Sequence, residues 1–234
     1  MNGIAPPSRL APASRAHPAN QQAAKERMLG RLAAAGHCAS VLHAMGQIDR
    51  HNFVPPRLAS KAYDESSLPI GFEQTISKPS MIARVLSLLI PEDAPSGFRL
   101  PGRVLEIGTG CGYQAAVLSK IATEVYSMER IKGLHECARD NLRELRLVNL
   151  HLLFGDGMAG YAKGAPYTAI VSAAAGAAIP NAWLEQLAVG GRIIAPTQSD
   201  TGHQLLMVLD KTATGIRQFA LEAVRFVPLK SGTS

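Results

Sequence analysis

The sequence predicts an α/β protein: a doubly wound, mostly parallel sheet behind an N-terminal helical extension. Between residues 103 and 227, short apolar runs alternate with amphipathic stretches, the pattern of strand–helix–strand units covered on both faces. Residues 104–114, VLEIGTGCGYQ, break from an apolar run into three glycines at alternate positions, a strand-to-helix turn that makes room for a ligand. The chain has 234 residues, 47% of them hydrophobic, enough to bury one sizeable core and short for two.

In chain order, residues 1–20 are rich in Pro, Ala and Ser without apolar periodicity and predict a disordered tail. A single domain over 21–230 follows, with a helical and loop extension at 21–100 and a ligand-binding sheet at 101–230. Met28, Leu29, Leu32, Val41, Leu42 and Met45 mark helical faces interrupted near Gly36. Residues 53–80 are dense in Pro, Gly and Ser and predict a long irregular segment of the functional kind. Met81–Ile90 predicts a helix stopped by Pro91, and PEDAPSGFRLPG a connector. Strands are then expected at 103–107, 124–128, 150–154, 167–172 and 192–195. Helices are expected at 113–121, 131–145 and 181–187, the last stopped at Gly190-Gly191. Residues 204–209 and 216–227 predict a closing antiparallel pair.

Composition narrows the function. The formal charge of +6, from 24 basic and 18 acidic residues, comes without a long basic run interleaved with aromatics, so nucleic acid is not an expected partner. Cys38, Cys111 and Cys137 lack paired spacing, and His135-Glu136-Cys137 would point in different directions on one helix; neither a disulfide framework nor a metal site is expected. No apolar segment approaches the ~20 residues of a membrane span, and no signal-peptide core is visible, so no membrane partner and a cytoplasmic location are expected.

The glycine loop, Gly108-Thr109-Gly110-Cys111-Gly112, is G-x-G-x-G. It is neither the G-x-G-x-x-G of a dinucleotide site nor a P-loop with its Gly-Lys-Ser/Thr. Glu106, two residues before it, would repel a pyrophosphate but attract an α-amino group. Glu129, ending the second strand, is placed to hydrogen-bond two ribose hydroxyls. Asp156, in Gly155-Asp156-Gly157 after the third, can accept from an adenine amine. Acids at three successive strand ends suit a cationic ligand without phosphates, and S-adenosyl-L-methionine is such a ligand.

A more specific resemblance lies in LPIGFEQTISKPSMIARVLSLL, residues 68–89, with FVP at Phe53–Pro55, VLEIGTGCGYQAAVLS, VYSMER, FGDG, LEQLAVGGRIIAP and RFVPL. Over roughly residues 25–229 the chain resembles protein-L-isoaspartate (D-aspartate) O-methyltransferases, within the class I S-adenosylmethionine-dependent methyltransferases. The resemblance implies a seven-stranded Rossmann-like sheet and methyl esterification of the free carboxylate of L-isoaspartyl residues. The ester returns to a succinimide and in part to aspartate, so the implied role is protein repair, with isoaspartyl proteins and peptides as partners of a monomeric enzyme. It implies Ser77 as catalytic residue at the reacting carboxylate, with Thr75, Ile76 and Ser77 beside the cofactor. Glu106, Gly108, Thr109, Gly110, Gly112, Glu129, Asp156 and Gly157 match cofactor positions, and Ala173, Ala174 and Ala175 a stretch next to the substrate backbone.

A carboxyl group with pKa near ~4 is already ionised at neutral pH, so such a transfer needs no strong base. The protein's task is to align the acceptor oxygen and exclude water, and a serine hydroxyl can donate to one carboxylate oxygen and orient the other. Relatives usually carry glycine at the position of Glu73, an aromatic or histidine at Ser80, an acid at Thr168 and a smaller residue at Trp183. These departures leave open a carboxyl methyltransferase for a dedicated peptide or small acid. A non-catalytic S-adenosylmethionine-binding protein is a third alternative.

Overall fold

The computed structural model describes residues 18–234 except Asp93 and Ser96. Most of the expected tail lies outside the described residues, but 18–20 already belong to the first helix, α1 (Pro18–Ala34). Its buried Gln21, Met28 and Leu32 fall on one face, as helical periodicity requires. Helix α2 (Ala39–Gln47) buries Val41, Ala44 and Met45.

The segment expected to be irregular is more ordered than its Pro and Ser content suggests. It contains 3₁₀ turns at Arg50–Phe53 and Pro56–Lys61 and a hairpin of β1 (Leu68–Gly71) and β2 (Gln74–Ile76). Leu68 pairs with Ile76, and both are buried; burial of these two ends supplies the order that local propensity lacks. Phe72 and Glu73 turn the hairpin with φ of 52° and 58°. A two-residue turn with both φ values positive favours glycine, and each L-residue there costs about 1–2 kcal/mol. Glycine would suit position 73 for this conformational reason, and this chain carries Glu73 there instead.

Helix α3 (Pro79–Ser87) begins two residues earlier than expected, with Pro79 in its first turn, and buries Ile82, Ala83, Val85 and Leu86. The alternating part then runs β3 (Leu100–Ile107), α4 (Tyr113–Ile121), β4 (Ala122–Glu129), α5 (Lys132–Leu142), β5 (Leu150–Phe154) and β6 (Tyr167–Ser172). It continues through β7 (Ala174–Ala175), α6 (Asn181–Gln186), β8 (Leu187–Gln198), β9 (Gln204–Thr212), β10 (Gly215–Val224) and β11 (Val227–Pro228). The expected stop of α6 at Gly190-Gly191 is displaced. These glycines lie in β8, where the register against β6 jumps between Tyr167↔Leu187 and Ala169↔Arg192, and Gly190 absorbs the irregularity at φ 84°. The last expected strand is divided, because the chain leaves β10 at Arg225-Phe226 and pairs Val227 with Ala174 instead.

The central sheet has seven strands in the order β10-β9-β8-β6-β3-β4-β5; β5, β4, β3, β6 and β8 are parallel, and β9 runs antiparallel to β8 and β10. Val104, Leu105, Glu106 and Ile107 are all at most 2% exposed, the sign of a strand covered on both faces. Val104 packs with α1–α4, whereas Leu105 and Ile107 pack with Trp183 of α6, so by strand alternation Glu106 faces the α4 side. No helix among the described residues is long and apolar enough to cross a membrane.

Candidate active site

The chain leaves β3 towards β4 and β5 on one side and returns through β6 on the other, so a crevice opens between the C-terminal ends of β3 and β6. Its floor is narrow: the Ala173 amide donates to the Ile107 carbonyl at 2.8 Å, and a Cβ on Gly108 would stand 3.4 Å from the Ala173 side chain. The glycine loop crosses it with Gly108, Gly110 and Gly112 at φ 89°, 56° and 91°. The Gly108 amide donates to Met128 O at 2.8 Å, and the Gly110 amide to Glu129 Oε2 at 2.8 Å.

A cavity of about 360 Å³ occupies this crevice. Thr75, Gly108, Gly110, Glu129, Gly157, Ala173 and Ala174 line it, joined by apolar Ile107, Met128, Ile131 and Leu134. A second cleft of about 550 Å³ is lined by Ser77, Thr75, Lys78, Met81, Phe226 and Val227. Thr75 and Val227 border both, so β2 and the start of β11 form the partition. Ser77 is half-buried on the cleft side of that partition, and no hydrogen bond to its hydroxyl is present among the described residues.

Several expected residues lie elsewhere. Ile76 alternates away from Thr75 and Ser77 and is buried in the core at 5% exposure. Gly112 lines neither space; it is glycine because a Cβ would stand 2.8 Å from Leu142 Cδ1, where α5 packs on the loop. Thr109 is buried with its hydroxyl 2.6 Å from Ser127 Oγ. Ala175 pairs with Pro228 and accepts from the Leu229 amide at 2.8 Å. Asp156 is already engaged: Oδ1 accepts from the Met158 amide at 2.8 Å and Oδ2 from the Gly232 amide at 2.7 Å.

The departures separate in the same way. Glu73 lines the cofactor-sized cavity and not the Ser77 cleft. The Ser80 hydroxyl donates to Glu65, and Thr168 donates to Pro101 O at 2.6 Å at the far end of β3. Trp183 is buried and its indole donates to Gly157 O at 2.8 Å, fixing a residue whose Cβ would come within 2.5 Å of Ile107. Sequence reasoning assigned no part in the site to residues 227–234. This segment lines the cavity through Val227–Lys230 and Ser234, and closes onto the end of β4. Ser234 N donates to Arg130 O at 2.9 Å, Lys132 N to Ser234 O at 2.8 Å, and Arg130 Nε to Gly232 O at 2.9 Å. Only the RFVPL run gave any signal of it.

Glu106 sits behind the glycine loop, completely buried, with Ser127 Oγ donating to Oε2 and with Oε1 lacking a partner. Burial pushes its carboxyl up to about 8, opposed by the Ser127 and Gln114 side chains and reinforced by the charge of Glu129. A folded-state value raised above the unfolded one means stability that is present below the unfolded pKa, near 4.5, and is lost as pH rises to about 8. Without added ligand, Glu106→Gln should therefore out-melt the parent by a margin that widens between pH 5 and pH 8.5, by roughly 2–4 kcal/mol. A pH-independent margin in thermal melts would show that Glu106 titrates normally.

Comparisons with known proteins identify the family. The family model described as protein-L-isoaspartate(D-aspartate) O-methyltransferase matches residues 23–234. A protein-L-isoaspartate O-methyltransferase of Leptothrix cholodnii is 54% identical over 214 residues, covering 90% of this chain and 74% of the relative. One of Ralstonia nicotianae is 51% identical over 222 residues, covering 90% and 69%. A solved protein-L-isoaspartate O-methyltransferase superposes with a TM-score of 0.78 at 27% identity, over 88% of this chain and 66% of that one. A Plasmodium falciparum structure solved with S-adenosyl-L-homocysteine shares the fold, with a TM-score of 0.76 at 24% identity over 90% and 98%. With its glycine crevice, the acid at the end of β4 and the Ser77 hairpin joined to a match over nearly its whole described length, the chain belongs to the protein-L-isoaspartate(D-aspartate) O-methyltransferase family.

Proposed function

We infer that the chain uses S-adenosyl-L-methionine to methylate the free carboxylate of L-isoaspartyl residues in proteins and peptides, the first step of their repair through a succinimide. The observation that carries this is the family match over residues 23–234, which includes the Ser77 hairpin between the cavity and the cleft. The residues fit the cofactor. Gly108 and Gly110 leave the crevice wall without side chains, and Glu129, 4% exposed, presents a carboxylate suited to ribose hydroxyls. Ile131, Leu134 and Met128 offer apolar surface for a base. Glu106, fully buried behind the loop and outside the cavity lining, could accept from a cationic amino group at its partnerless Oε1 only where the loop gives way. When bound, the cofactor supplies a methyl group on a positively charged sulfur.

The chain's own work is positional. Ser77 donates to one oxygen of the acceptor carboxylate and turns the other towards the partition at Thr75 and Val227. Ala173 and Ala174, without bulky side chains, leave room for substrate backbone beside that partition. Asp156 serves an adenine amine only by sharing or exchanging the Oδ2 bond now made by Gly232.

Labelled methyl transfer to two peptides, identical except for L-isoaspartyl or L-aspartyl at one site, tests the function. Label is expected in the first peptide only. Label in neither, with the cofactor bound, would overturn the isoaspartyl reading.

A further inference from the structure

Arg50 is a charged side chain without a part in the chemistry above. It is fully buried in the 3₁₀ turn Arg50–Phe53. Nε donates to Ala62 O at 2.6 Å and Nη2 to Ser77 O at 2.7 Å. The guanidinium lies 5.1 Å from the centroid of the Tyr113 ring, and Nη1 has no hydrogen-bond partner. Among the described residues no carboxylate pairs with it. Neighbouring Asp49 is held by Lys25 at 2.7 Å, and Glu65 accepts from Ser80 and faces Lys78 at 3.6 Å. A buried cation without a counterion is destabilising, and arginine does not escape by losing its proton. Binding two carbonyls needs donors but not a full charge.

The acceptor is what the charge faces. A serine hydroxyl lies about 3–4 Å from its own carbonyl oxygen, so a carboxylate on Ser77 Oγ would sit within roughly 8–10 Å of the guanidinium. In an interior of effective dielectric ~20, attraction over that distance favours an anion over a neutral isostere by roughly 10-fold or more.

We propose that Arg50 is a positioning residue that fixes the Ser77 backbone and supplies the positive potential by which the cleft selects a carboxylate over a neutral group. This rests on the isoaspartyl reading of the site. Exposed Lys78 and Arg225 at the cleft rim are the competing source of such a preference.

The test uses the full chain with S-adenosyl-L-homocysteine present. It measures the ratio of affinities for an isoaspartyl peptide and its neutral counterpart, in which the free carboxylate is an amide. Because each ratio is taken within one folded protein, a general loss of stability cancels. The wild type should prefer the anionic peptide by roughly 10-fold or more, Arg50→Gln should bring the ratio near one, and Arg50→Lys should restore most of it. An unchanged ratio in Arg50→Gln would overturn the proposal. Should that variant not fold, the wild-type ratio in 0.5 M salt decides. A buried charge keeps its preference there, whereas rim lysine and arginine are screened and the ratio collapses. Absence of methyl transfer by the wild type to the isoaspartyl peptide would overturn the underlying function, and the proposal with it; transfer with an Arg50-independent ratio overturns the proposal alone.

Discussion

Ser77→Ala is expected to slow methyl transfer roughly 30- to 1,000-fold, the loss of about 2–4 kcal/mol from one hydrogen bond strengthened in the transition state. The geometry favours a kinetic effect over a structural one. Ser77 is held through its backbone carbonyl by Arg50, which the substitution leaves in place, and its hydroxyl makes no hydrogen bond among the described residues that folding would lose. Since Ser77 lines the cleft and not the glycine-walled cavity, affinity for S-adenosylmethionine should stay within about twofold. Single-turnover transfer to an isoaspartyl peptide, together with calorimetric titration of the cofactor, separates the two quantities. Full activity in Ser77→Ala would remove the catalytic assignment.

Glu129→Ala should weaken cofactor binding by about 1.5–3 kcal/mol, roughly 10- to 150-fold, through loss of a charge-assisted contact. The site adds a second component. Glu129 Oε2 accepts from the Gly110 amide at 2.8 Å and Oε1 from the Ile131 amide at 2.9 Å, so the carboxylate also holds the glycine loop to the end of β4. Alanine leaves both amides without this partner, and the melting temperature should fall as well. Glu129→Gln keeps one oxygen for the loop and should lose affinity with a smaller fall in stability. Unchanged affinity in a folded Glu129→Ala protein would rule out a ribose contact.

What the sequence made legible is what lies close together along the chain. Gly108 and Gly110 follow β3 directly, Glu129 ends β4, and Gly157 follows β5; all three strand ends were visible as apolar runs closing in glycine or acid. The placement of Ser77 came from the family resemblance and not from spacing. What stayed hidden depends on contacts between distant segments. Gly112 answers to Leu142 on another helix, and Asp156 is engaged by a residue 76 positions later. Periodicity likewise cannot show that Glu106 lies behind the loop, because a strand buried on both faces gives no polar alternation to read. The hairpin at β1 and β2 was concealed by its own turn, since Phe72 and Glu73 are not residues that announce positive φ.

The strap formed by residues 227–234 has a kinetic corollary. It lines the cavity while joined to β7 at one end and to Arg130, Lys132 and Asp156 at the other, so part of the cavity wall is a segment fastened on both sides. Of this segment only Val227 also borders the Ser77 cleft. Loosening this wall means breaking several backbone hydrogen bonds, whereas most of the cleft wall is independent of them. Exchange of a ligand held by that wall should then depend more steeply on temperature than exchange at the cleft, which binding kinetics at several temperatures would show.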